Sequence, residues 1–136
     1  MLDHALERAF CGALQAAPEL ADLHFFIGQT DEVHELPAIT VTSKSEALAG
    51  SPTVFRSEIE IVLESHAHDA PSGAHTTIQS YLQKVLADKP LLLASANTVG
   101  DVCIFGYSFS TSQPEAIDGK FRSILILKAG YKVLAH

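Results

Sequence analysis

Over residues 53–65 the chain alternates with period two: Phe55, Ser57, Ile59, Ile61 and Leu63 fall on one side, Arg56, Glu58, Glu60 and Glu64 on the other. Successive side chains of a strand point to opposite faces, so this is the pattern of a half-buried β-strand. Two later runs, 101–112 and 120–133, are equally strand-like but apolar on both sides. In the last, Phe121, Leu125 and Leu127 oppose Ile124 and Ile126; in the one before it, Val102 and Ile104 oppose Cys103, Phe105, Tyr107 and Phe109. Such a chain must build a sheet with apolar side chains on both faces, and each face needs cover.

The available cover is two helices. Leu2, Leu6, Ala9, Phe10, Ala13 and Leu14 recur at helical spacing until Pro18 ends the pattern. A second helix starts at Pro71 and Ser72 and carries Ile78, Tyr81, Leu82, Val85 and Leu86 as its apolar stripe up to Asp88. Residues 23–28 read as a brief strand followed by a polar loop, and 38–43 as another strand. The small, polar stretch 44–52 has the composition of a mobile hairpin loop. The apolar run 91–94 fits a helical turn or a strand, and Asp118-Gly119 is a turn former before the last strand. The order predicts one α+β domain over 1–136, with a mainly antiparallel β-sheet and two α-helices packed on one face. The other face, with Val62, Ile124 and Ile126, is then expected to meet a second subunit or a closed-over sheet.

Composition narrows the function classes. With 47% apolar and 18% charged residues the chain is neither disordered nor, lacking an apolar run of about 20 residues, membrane-spanning by a helix. Residues 1–10 have no basic start and no small-residue cleavage site, so an intracellular protein is expected. Cys11 and Cys103 lie far apart inside apolar segments and read as two buried thiols. The net charge of −7 comes from dispersed acids with no basic patch, which excludes sequence-specific nucleic-acid reading. An acidic surface repels phosphates and suits a component that lets nucleic acid pass.

The clearest candidate for chemistry is His66-Ala67-His68-Asp69 with His75 nearby, since two imidazoles, a carboxylate and a third imidazole can hold a metal. The same segment is rich in Ala, Pro, Ser and Gly, and a solvated loop with Asp69 or Ser72 capping the next helix is the favoured reading. Glu58, Glu60 and Glu64 read as a solvated face, neutralised across strands by Arg56, Arg122 and Lys128. There is no GxSxG elbow, no GxGxxG and no GxxxxGK[ST] loop, and His4, His24, His34 and His136 are isolated. No catalytic, cofactor-binding or metal residue is assigned.

The segments LPAITVTS, then FRSEIEIVLESHAHDAPSGAHTTIQSYLQKVL, then DVCIFGYSFSTSQPEAIDGKFRSILILKAGYKV follow one another as strand, strand into central helix, and closing hairpin. In that order the whole chain resembles the small tail-terminator or tail-completion proteins of long-tailed bacteriophages and prophages. The resemblance implies a homo-oligomeric ring, usually a hexamer, that caps the tail tube and faces the head connector, with the tail-tube and head-connector proteins as partners. It implies no enzyme activity and no cofactor, and it places the protein in the host cytoplasm during assembly and then in the virion tail. Strand alternation and loop position nominate the contact residues: Lys44 and Glu46; Arg56, Glu58, Glu60 and Val62; Glu115 and Asp118; Arg122, Ile124 and Ile126. The competing expectation is a small metal-binding domain or metal-dependent hydrolase using His66, His68, Asp69 and His75. A dimeric ligand-binding domain is a third.

Overall fold

A computed structural model describes residues 2–28, 37–47, 54–66, 72–99, 102–113, 115–117 and 119–133. Its elements run α1 (Leu2–Gln15), β1 (His24–Ile27), β2 (Ala38–Ala47), β3 (Val54–His66), α2 (Ser72–Ala87), α3 (Lys89–Ala96), β4 (Val102–Thr111), β5 (Glu115–Ile117) and β6 (Lys120–Val133). The six strands form one sheet in the order β1-β2-β3-β6-β4, with β5 also pairing β6. All pairings are antiparallel except β1 with β2. The fold is α+β, as the strand alternation and the two helical stripes predict.

The long central strands do most of the organising. β3 pairs β6 from Val54↔Lys132 to His66↔Lys120, so the inward residues of the two strands stand side by side. Ile59, Ile61 and Leu63 of β3 and Leu125, Leu127 and Tyr131 of β6 are fully buried on that inner face. Leu6, Phe10 and Leu14 of α1 and Leu82 and Leu86 of α2 join them in one cluster. Fully burying a side chain of this size stabilises the fold by about 1.5–3 kcal/mol relative to leaving it exposed.

Four features depart from the sequence reading. The run 91–94 belongs to a third helix, α3, which starts at Asp88 with Pro90 in its first turn and buries Leu92 and Ala96. Residues 44–47, expected in a mobile hairpin loop, continue β2 as far as Ala47, because β3 is long enough to pair them: Lys44↔Glu58 and Glu46↔Arg56. Residues 48–52 of that expected loop lie outside the described residues. In β4 a register shift between Ile104 and Gly106 breaks the alternation. The irregularity turns Tyr107 back onto the side of Val102 and Ile104, where it is buried, and leaves Phe105 57% exposed. Cys103 is also half-exposed rather than buried, whereas Cys11 is buried and its thiol is pushed up to about 11, keeping it protonated at neutral pH.

The strand edges are managed by side chains. β1 covers β2 only through Val41, and two residues further the Ser43 N–H donates to the buried Glu7 carboxylate of α1 at 2.7 Å. At the other edge Asn97, just past α3, accepts from the Ile104 N–H at 2.8 Å and donates to its carbonyl at 3.3 Å. Both contacts satisfy backbone groups where the ladder ends. We expect Glu7→Leu, which removes the acceptor, to lower unfolding free energy by about 1–3 kcal/mol in urea titrations, and Glu7→Gln, which keeps an oxygen there, to cost less.

Candidate functional site

Two arrangements stand out among the described residues: the outer face of the sheet and a buried polar chain under α2.

The outer face is read directly from the register. Across β2, β3 and β6 the residues fall in rows: Glu46–Arg56–Gly130, Lys44–Glu58–Lys128, Thr42–Glu60–Ile126, Thr40–Val62–Ile124 and Ala38–Glu64–Arg122. Paired residues of adjacent strands share a face, so every one of these side chains points away from the core. Beyond β6 the rows continue into Ser108 and Ser110 of β4 and Glu115 of β5. The exposed Phe105 ring lies on Gly130: a Cβ there would come 3.8 Å from the ring. The surface forms an open groove of about 1190 Å³ lined by Thr42, Glu58, Glu60, Val62, Arg122 and Lys128 among others. Val62, only 8% exposed, lies in the groove, and the half-buried Ile124 and Ile126 stand beside it on the same face, outside the groove lining, as a small apolar strip; charge brackets it above and below.

Nine of the eleven nominated contact residues therefore share this one face, and Glu115 sits at its margin beside Arg122. Asp118 lies outside the described residues. The apolar surplus is smaller than the sequence reading implies, since the irregularity in β4 moves Tyr107 and Phe109 to the core side. The expected neutralisation across strands is also incomplete. Arg56 pairs with Glu46, but Lys128 and Arg122, although opposite Glu58 and Glu64, form no ion pair with them. The Arg122 Nε is buried without an acceptor.

The buried chain links α2 to the sheet. His75 is 1% exposed; its Nδ1 lies 2.7 Å from Ser65 Oγ of β3 and its Nε2 2.8 Å from Ser123 Oγ of β6. Ser123 donates to the Gln79 Oε1 at 2.6 Å, and the Gln79 amide donates onward to the Ser112 carbonyl at 3.3 Å. These contacts set the direction of donation. Ser123 has one proton and gives it to Gln79, so it accepts from His75 Nε2–H, and His75 Nδ1 accepts from Ser65. The result is a neutral imidazole in one tautomer, and burial holds its pKa below the ordinary value. Both hydroxyls are buried with it, so the arrangement offers no substrate an approach and is structural.

This overturns the solvated reading for His75, which α2 buries against the sheet. The sequence stripe treated only apolar residues as inward, whereas the helix turns His75, Gln79, Leu82 and Leu86 to the sheet and leaves Tyr81 exposed. The signal was present in those spacings of four, three and four, together with Ser65 and Ser123 at inward strand positions. Of the other metal candidates, His66 ends β3, while His68 and Asp69 lie outside the described residues. Among the described residues no three His, Cys, Asp or Glu side chains are grouped to hold a metal ion, and no helix is long and apolar enough to cross a membrane.

No family model and no curated protein matches the chain. One solved structure aligns over 97% of this chain and 92% of its own, at 13% identity and a TM-score of 0.49.

Proposed function

We propose that the protein is a non-enzymatic assembly component of a long phage or prophage tail, forming a homo-oligomeric ring, a hexamer on the family pattern, that closes the tail tube and meets the head connector. The observation that carries this reading is the outer sheet face: an apolar strip framed by rows of opposite charge, with no helix packed on it among the described residues. A surface of this kind recognises by shape and charge and needs no reacting group. The order of elements along the sequence supports the same reading, and the net charge of −7 disfavours adhesion of DNA passing nearby. The tail-tube protein and the head-connector protein are its partners, in the host cytoplasm first and in the virion tail afterwards.

The test uses tubes polymerised from the tail-tube protein encoded nearest to this one. Added protein is expected to stop elongation and to sit as a ring at one tube end in negative-stain micrographs. Ile124→Asp, which puts a charge into the apolar strip, is expected to weaken capping roughly tenfold or more. Tubes that elongate unchanged, with no protein at their ends, would refute the proposal.

A further inference from the structure

We propose that the outer sheet face is self-complementary and that free copies of the protein pair through it, face to face, about a two-fold axis running along the strands between β3 and β6. Such an axis keeps each row in place and lays β3 of one copy over β6 of the other. It therefore sets every β3 residue opposite the β6 residue with which it already shares a row, and those rows can be read from the register.

The match holds in four rows of five. Glu58 faces the second copy's Lys128, and Lys128 faces its Glu58, so with the cross-strand neighbours the four charges alternate around a closed rectangle. Glu64 and Arg122 do the same in the row just beyond the strip. Between them Val62 meets Ile124. At the far end Arg56 meets Gly130, whose missing side chain leaves the exposed Phe105 ring to receive the guanidinium. The flanking strands do not obstruct: β2 passes over β4, where Thr42 of one copy meets Ser110 of the other. The misfit is Glu60, which lies over Ile126. An axis along the rows through the centre of the apolar strip would instead set Glu58 against Glu64 and Lys128 against Arg122, and repulsion disfavours it.

Sheets packed in this way lie about 10 Å apart and about 30° askew, an offset that Glu, Lys and Arg side chains can span while filling the open grooves. Five rows on four strands make a patch of roughly 30 Å by 20 Å, near the lower limit for specific interfaces, so the pair dissociates in the micromolar range. The pairing stands apart from the tail reading. Only one consequence rests on that reading: a paired copy withholds this face until the tube arrives.

Sedimentation velocity on the isolated protein from 1 to 200 μM tests it, with no tail component present, so failure here leaves the capping test standing. The wild type is expected to shift from one copy to two across that range. Glu58→Lys and Lys128→Glu each set like charges against each other twice in a self-pair and are expected to weaken it tenfold or more, with circular dichroism and melting unchanged. Mixed together, the two variants restore both contacts, and native mass spectrometry is expected to show the mixed pair over either self-pair. Glu60→Leu is expected to tighten the wild-type pair. A wild type that stays single at 200 μM, or two variants that do not pair when mixed, would overturn the proposal.

Discussion

His75→Leu is expected to lower the unfolding free energy at pH 8 by about 2–4 kcal/mol. The substitution leaves Ser65 without its imidazole acceptor and Ser123 without its donor, and buried polar groups deprived of a partner cost about 1–3 kcal/mol each. It also removes a source of acid sensitivity. Burial lowers the His75 pKa from the ordinary 6.5, so below that pH the unfolded chain takes up a proton that the folded protein resists. The contribution to stability is complete above pH 6.5 and is lost as the pH falls through the lower folded-state value. In urea titrations at pH 8, 7, 6 and 5 the wild type should lose ground over the acid half of the series, and His75→Leu should lose less. Parallel pH profiles for the two proteins would show that the imidazole is not the responsible group. Ser123→Ala serves as a second probe, because it cuts the same chain at β6 and leaves the histidine in place.

Phe10→Ala is expected to cost about 3–5 kcal/mol, the range for removing a fully buried aromatic ring from a close-packed core. Phe10 meets the Tyr107 ring edge-on, with centroids 5.9 Å apart, and Tyr107 in turn donates its hydroxyl to the Leu86 carbonyl of α2. One ring thus helps to hold α1, α2 and β4 together, and the cavity it leaves borders three elements that cannot all collapse inward. For a domain of this size the melting temperature should fall by roughly 10 °C or more. Leu91→Ala is the control: Leu91 is 68% exposed on α3, and its truncation should change stability by under about 0.5 kcal/mol. Equal losses at the two positions would mean that the core does not run through Phe10.

The strands with uninterrupted alternation were legible from their residues. Residues 120–133 read as one strand and form one, and β3 presents Ile59, Ile61 and Leu63 to the core as its pattern predicts. The acids Glu58, Glu60 and Glu64 and the residues Val62, Ile124 and Ile126 could likewise be assigned to one side. Alternation reports a face, however, and one irregularity reverses it. β4 reads as a strand opposing Val102 to Tyr107, and the register shift after Ile104 puts both on the same side. Gly106 is the one local sign of it, since a glycine inside a strand often marks a bulge, but the side to which the chain returns depends on how β4 fits along β6.

Periodicity and composition by themselves determined that the chain builds an α+β domain, which runs are strands, and which sides of β3 and β6 face inward; these follow from local backbone geometry, which repeats every two or 3.6 residues. The tertiary structure alone decided which charges stand in one row, which partners the inward His75 and Gln79 meet, and that Glu7 closes the edge of β2 at Ser43. Those partners are 10, 36 and 48 positions apart for Ser65–His75, Glu7–Ser43 and His75–Ser123. A polar side chain reads as solvent-facing until the fold brings its partner within hydrogen-bonding distance, and that meeting is set by strand register rather than by neighbours in sequence.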